Sequence, residues 1–252
     1  MTTTRHSTGN ETGFESKHAF RFEFCGVSLC ALPDRALWWP DRRLLCVADL
    51  HLGKSGRLAR MSGALLPPYE TRETLTRLTG LVRNADPVTV VCLGDSFDDL
   101  EAVRELSAED HDTLSVLARG RQWIWISGNH DPGLDRGDLM PVLGGGEPPG
   151  KPSILSDQLT VGPLTFRHIA NPAESCEVSA HYHPKCRVSG YGRRVTRACF
   201  LVDRKRIILP AFGRYTGGLH CHEPPLSDLM APSAVAVLTG ARAMAVPARR
   251  EN

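Results

Sequence analysis

The hydrophobic positions of the chain change their period along its length. Phe20, Phe22 and Phe24 alternate with polar residues, and so do Val27, Leu29 and Ala31 after Gly26. This period of two predicts a pair of short strands about a turn. Ala36 to Trp39, closed by Pro40-Asp41, reads as a further strand and its turn. Leu44 to Ala48, Val88 to Leu93 and Trp123 to Ile126 are unbroken apolar runs of strand length, the pattern of strands buried on both faces. Between them the period lengthens. Leu75, Leu78, Leu81 and Val82 mark a helix over 68–84. Ser107, followed by Glu109 and Asp110, caps a second helix that carries Leu114 and Leu117. The order predicts a βαβαβ unit with a parallel sheet.

Past a Gly/Pro-rich stretch at 141–152 the texture becomes strand-like. Ile154-Leu155, Leu159 to Val161, Leu164 to Phe166, Val178 to Ala180, Ala198 to Val202 and Ile207 to Leu209 are short apolar runs split by turns. They predict a second sheet packed on the first. The segment 233–246 reads as a hairpin in preference to a helix.

Composition adds bounds. With 252 residues, 41% hydrophobic and 23% charged, the chain fits one large globular domain or two small ones. The net charge of +2 does not by itself call for a nucleic-acid partner. Lys17, Lys54, Lys151, Lys185 and Lys205 are the only lysines, so arginine carries most positive charge. That suits a phosphate-bearing ligand, although genome composition explains it equally well. The eight cysteines form no CxxC, and reduced thiols in a cytoplasmic protein are the simplest expectation. Residues 1–17 are polar, read as a disordered tail and hold no secretory h-region. No apolar run reaches the length of a membrane span.

Most of the predicted core strands end at residues with metal-binding side chains. The series runs Asp49-Leu50-His51, Gly94-Asp95-Ser96-Phe97-Asp98, Gly128-Asn129-His130-Asp131, His168 and His181-Tyr182-His183. Ligands beyond the C-terminal ends of parallel strands share one crevice. If the strand runs on locally, Asp49 and His51 point to one side, as do His181 and His183. Mixed oxygen and nitrogen donors without thiolates fit Mn²⁺, Fe or Zn²⁺ better than Mg²⁺ or Ca²⁺. Two ions about 3.5–4 Å apart supply a nucleophile near neutral pH and positive charge over phosphoryl oxygens. His220 and His222 form a rival H-x-H pair in a loop, ranked below His181 and His183.

This motif order resembles the calcineurin-like metallophosphoesterases from about Phe20 to about Leu219, with Ala180 where the family usually has glycine. The resemblance implies an α/β, four-layer αββα sandwich of two mixed sheets flanked by helices. It implies one metal held by Asp49, His51, Asp95 and His183, and a second by Asp95, Asn129, His168 and His181. His130 would stabilise the transition state and protonate the leaving oxygen, with Asp98 orienting it. Residues 1–18 are then a tail, 19–222 the metallophosphoesterase domain and 223–252 a C-terminal extension packing on it. Asp49 to Lys54, Leu66-Pro67-Pro68 and Leu209 to Gly218 are similar to the bacterial ligase-associated DNA damage response endonucleases. That branch implies a nucleic-acid phosphodiesterase in DNA repair, single strands favoured, with an ATP-dependent DNA ligase or helicase as partner. The expected cofactors are two divalent ions, Mn²⁺ first.

Lys54, Arg57 and Arg60 fall in the loop after the first ligands, where they could grip a phosphate backbone. Arg187, Arg193, Arg194 and Arg197 make a second basic cluster, and Tyr191 and Tyr215 are candidates for stacking on bases. For any single arginine a solvated face is the simpler account. Two rivals stand beside the nuclease reading: a small-molecule nucleotide phosphoesterase, and a catalytically weak module that docks a ligase or helicase. A structural-zinc DNA-binding protein would need paired cysteines that the chain lacks.

Overall fold

The computed structural model describes residues 18–63, 67, 69–130, 137, 139, 153–190 and 193–248. The expectations for the N-terminal tail, Leu66, Pro68, Asp131, the 141–152 stretch and Tyr191 lie outside the described residues.

The first sheet has the order β1-β2-β3-β4-β5-β6-β7. Strands β1 (Phe20–Phe24), β2 (Val27–Ala31), β3 (Leu37–Trp39) and β4 (Leu44–Ala48) run as an antiparallel meander. From β4 through β5 (Thr89–Leu93) and β6 (Gln122–Ile126) to β7 (Ile154–Ser156) the sheet is parallel. Strand β7 thus belongs to the first sheet, not to the second as its position past the Gly/Pro stretch suggested.

The second sheet has the order β15-β14-β12-β13-β10-β9-β8, with β11 paired to β12. Its strands are β8 (Gln158–Val161), β9 (Leu164–Arg167), β10 (Glu177–Ser179), β11 (Lys185–Gly190), β12 (Arg193–Val202), β13 (Arg206–Ile208), β14 (Val235–Leu238) and β15 (Met244–Pro247). The last two form an antiparallel hairpin, so the C-terminal segment supplies two strands of the sheet itself.

The apolar runs bury both faces of the central strands. Leu45, Val47, Val90, Cys92, Trp123 and Trp125 pack with Leu75, Leu78, Leu114 and Leu117 of helices α2 (Glu70–Ala85) and α4 (Ala108–Ala118). The alternate residues Cys46, Ala48, Val91, Leu93, Ile124 and Ile126 meet Phe166, Val178, Phe200, Ile207 and Val237 between the sheets. On the far face Cys199, Leu201, Ala236 and Leu238 pack with Leu226 of a short helix, α5 (Leu226–Leu229), and Met230. The layers are helix, sheet, sheet, helix, an αββα sandwich.

Two helices carried no readable stripe. Helix α1 (Lys54–Ser62) starts at Gly53 and buries none of its residues. Helix α3 (Leu100–Glu105) has six residues and is capped by Asp99, whose Oδ1 accepts from the Ala102 N–H at 2.7 Å. Lys54, Arg57 and Arg60 therefore stand on a helix rather than in a loop.

One cross-link contradicts the expectation of reduced thiols. Cys25, in the β1–β2 turn, is disulfide-bonded to Cys176, just before β10, across 151 positions of sequence. It ties one sheet to the other. Neither cysteine lies in a motif, so nothing local announced the pair.

Candidate metal centre

Register brings the motifs together. Ala48 pairs with Leu93, and Leu93 with Ile126, so three parallel strands end level. Asp49, Asp95 and Asn129 follow one to three positions later at the same edge. In the facing sheet Phe166 pairs with Val178, which places His168 and His181 just past neighbouring strand ends. Backbone bonds continue the ladder beyond the strands: His51 N–H donates to Asp95 O at 3.0 Å and Ala180 N–H to His168 O at 2.9 Å.

The D-x-H and H-x-H segments do not run on as strands. Asp49, His51, Asp95, His181 and His183 all take the left-handed conformation, φ between 41° and 70°. Five non-glycine residues held there at one crevice store strain that the surrounding packing must hold. Ala180 is not among the residues of positive φ, so alanine replaces the usual glycine without backbone penalty. Glycine is required elsewhere. A Cβ on Gly94 would overlap the His168 ring, and one on Gly128 would overlap Asp95.

Three groups of ligand atoms result: one of them, His51, Asp98 and His130, is where Asp98 meets His51, and the other two gather predicted metal ligands. Asp49, His51 and His183 each bring an atom within 4.8 Å of the others, and so do Asp95, His168 and His181. Each of these two groups shares three residues with one of the expected ligand sets, and Asp95 stands only in the group with His168 and His181. Asp49 Oδ1, His51 Nε2 and His183 Nε2 are buried without a hydrogen-bond partner. Asp49 Oδ1 also lies 3.5 Å from His183 Nε2. Leaving such atoms orphaned is costly, and a cation among them removes the cost. In the second group His168 Nε2 faces two acceptors, Asn129 Oδ1 at 3.0 Å and Asp95 Oδ2 at 3.3 Å, which a proton or a metal ion must bridge. These donors fit two divalent cations.

Charge follows the same geometry. Burial acts to raise the Asp95 carboxyl, but His168 and the His130 N–H outweigh it and hold the pKa at about 2. Burial lowers His51 and His181, favouring the neutral imidazole that a metal needs. His168 moves the other way: burial opposes its charge, yet Asp95 and Asp49 prevail and raise it.

The contacts of Asp98 differ from expectation. Its carboxylate, fully buried, lies 2.7 Å from His51 Nδ1, 3.1 Å from Lys54 Nζ and 3.2 Å from Arg57 Nη1. Burial opposes its ionisation, and the His51 and Lys54 contacts overcome this and hold it well below the usual carboxylate range. The contact to His130 is made instead by the Asp98 backbone carbonyl, 3.1 Å from Nδ1. A carbonyl only accepts, so this shorter contact calls for a proton on Nδ1, whereas the donor Arg57 Nη1, 3.5 Å from the same nitrogen, calls for a lone pair there. Lys54 and Arg57 are engaged by Asp98, and Arg57 also approaches Asp99. Both therefore brace the centre through Asp98. Arg60 pairs with Asp99 and Glu105. The second basic cluster lies on the β11–β12 hairpin, where Arg187, Arg194 and Arg197 are exposed. His220 and His222 stack on each other at 5.5 Å and join no metal-holding group among the described residues.

A family model described as calcineurin-like phosphoesterase matches residues 42–186, which take in every motif above. The chain belongs to the calcineurin-like phosphoesterases. Among solved structures, Pseudomonas putida nuclease MPE matches with a TM-score of 0.67 and 26% identity, over 90% of this chain and 100% of that one. No curated protein sequence matches. This calcineurin-like phosphoesterase is a metal-dependent hydrolase using divalent cations, and no helix among its described residues is long and apolar enough to cross a membrane. Sequence reasoning missed the roles of the Leu209–Gly218 segment. Gly213 N–H donates to Asp49 O at 3.0 Å and Phe212 N–H to Ala48 O at 2.8 Å, buttressing the first ligand from the second sheet. Its Pro and Gly content was the available signal.

Proposed function

We propose that the protein is a nucleic-acid phosphodiesterase, a nuclease of bacterial DNA repair in the cytoplasm, loaded with two Mn²⁺ ions. The observation that carries this reading is the set of ligand groups, one of which contains His130, in a chain that aligns over 90% of its length with a nuclease. Asp49, His51, Asp95 and His183 would hold one ion, and Asp95, Asn129, His168 and His181 the other. Bound there, divalent ions supply Lewis acidity and lower the pKa of water. His130 does the proton work. With Nδ1–H anchored on the Asp98 carbonyl, Nε2 faces the substrate. With a proton on each nitrogen, His130 would give its Nε2 proton to the departing oxygen as water adds to phosphorus and the old bond breaks, while the water sheds a proton to solvent and solvent returns one to Nε2. The resemblance of Leu209 to Gly218 to the ligase-associated endonucleases supports a repair setting beside an ATP-dependent DNA ligase or helicase.

The test is metal-stripped protein reloaded separately with Mn²⁺, Zn²⁺, Fe²⁺ and Mg²⁺. It is offered a labelled single strand, the matching duplex, a nucleotide and a chromogenic diester. Mn²⁺ should restore turnover best, with kcat/KM highest on the single strand. Hydrolysis of the nucleotide alone would make it a small-molecule enzyme. Failure on all four with every ion would make it a docking module.

A further inference from the structure

Beside the metal centre lies a second concavity of about 340 Å³, with His183 in its wall. Arg35, Lys185 and Arg214 line it, and no acidic residue does. Arg214 is paired outside it, with Glu73 at 2.8 Å. Arg35 and Lys185 have no carboxylate partner within salt-bridge distance among the described residues. Each is instead held in place by a backbone carbonyl: Arg35 Nη1 donates to Ala211 O and Lys185 Nζ to Thr216 O, both at 3.3 Å. Those bonds fix the two side chains and use one donor of each, leaving four N–H groups on the guanidinium and two on the ammonium. The cost of this arrangement is visible at Arg35, whose pKa is lowered by burial and then by Arg214. Half-buried cations that repel one another and face a cavity are kept where an anion completes them.

We infer that this cavity is a phosphate subsite, receiving the phosphate next to the scissile one in a polynucleotide. The inference rests on the phosphodiesterase reading above and adds where the strand leaves the centre. Position supports it. His183 belongs to both the ligand group and the cavity wall, and Gly213, also in that wall, donates its N–H to Asp49. A strand whose scissile phosphate sits at Asp49 and His183 would lead its neighbouring phosphate into the cavity that Lys185 and Arg35 line. Tyr215, exposed at the rim in a left-handed conformation, offers a ring face to the base between them.

The experiment compares Lys185→Gln and Arg35→Gln with the parent, each loaded with Mn²⁺. Substrates are a single-stranded oligonucleotide with free hydroxyl ends, the same strand 5′-phosphorylated, and a chromogenic diester with one phosphate. Each variant should raise KM on the oligonucleotides about tenfold and reduce the dependence of log KM on log salt by about 0.7, the value of one lost single-strand contact. kcat, metal content and turnover of the chromogenic diester should stay within about twofold. An equal defect on both strands identifies a backbone diester, and one confined to the phosphorylated strand a terminal monoester. An unchanged salt slope on both strands would overturn the subsite, as would a parallel loss on the chromogenic diester, which would mean that the residues act through His183. If Arg35→Gln does not fold, Lys185→Gln decides alone, since glutamine can still donate to Thr216 O. A parent protein that hydrolyses none of the three would fail the underlying reading rather than the subsite.

Discussion

Asp98 and His130 stand 32 positions apart and touch, yet removing their side chains should damage different things. The Asp98 carboxylate holds His51 by Nδ1 and so points Nε2 at the ligand group. Outer partners of this kind set the orientation and basicity of a ligating imidazole. Asp98→Asn also leaves Lys54 and Arg57 without their buried counter-charge. The expected result is metal affinity lower by about 10–100-fold, read by competition with a fluorescent chelator, with turnover recovered at high Mn²⁺. His130→Ala should do the reverse. Metal content, measured by elemental analysis, stays at two ions per chain while kcat on the chromogenic diester falls about 10²–10⁴-fold. Full activity in His130→Ala would remove the proton-transfer role. The G-D-x-x-D spacing placed Asp98 in the crevice. It could not say which of its atoms met which histidine, because that depends on the turn after Leu52, where Leu52 and Phe97 pair as an isolated bridge.

At the level of elements, Glu177 joins three strands at the foot of the second sheet. It opens β10, is paired in register with Thr165 of β9 and Arg206 of β13, and accepts from the Asn171 N–H at 2.8 Å. Its carboxylate lies 3.2 Å from Arg167 Nε and 3.9 Å from Arg206 Nη1. Glu177→Ala leaves Arg206, 2% exposed, as a buried charge without its partner. The cost should be about 3–5 kcal/mol in urea unfolding. The pH dependence has a definite sign. Burial raises the Glu177 pKa above its ordinary 4.5 despite Asn171 and the two arginines. Just above 4.5 the folded state therefore holds more protons than the unfolded, and stability falls as pH rises. Glu177→Gln should flatten that decline, and an unaltered pH profile would show that the carboxyl titrates normally. Much of the element order was legible in the chain. The runs at Leu44 and Trp123 announced buried parallel strands, and Ser107 announced a capped helix. Helix α1 was not legible because it buries no apolar stripe, α3 because six residues are too few for a period, and β11 because Lys185, Arg187, Ser189 and Gly190 leave only Cys186 and Val188 as apolar positions. The predicted ligands were legible because each sits one to four residues past a strand end. The cationic cavity was not, since Arg35 and Lys185 are 150 positions apart and meet only through tertiary packing.

The whole molecule is two sheets clamped face to face, and the Cys25–Cys176 disulfide spans them at the end of β10 opposite His181. The bond closes a loop of 151 positions, which contains the first five ligand positions: Asp49, His51, Asp95, Asn129 and His168. Cross-linking so long a loop removes much conformational freedom from the unfolded chain, worth about 2–4 kcal/mol in typical cases. In the folded state the sheets are already held by the layer of Phe166, Val178, Phe200 and Ile207 against Cys46, Val91 and Ile124, so opening the bond removes no packing near the crevice. Reduction, or Cys25→Ser with Cys176→Ser, should thus lower the unfolding free energy in urea by about 2–4 kcal/mol. It should leave metal content and chromogenic-diester turnover within about twofold at low denaturant. Loss of bound metal on reduction at full folding would show that the cross-link shapes the site itself, and that the separation of staple from centre along β10 is too short to insulate them.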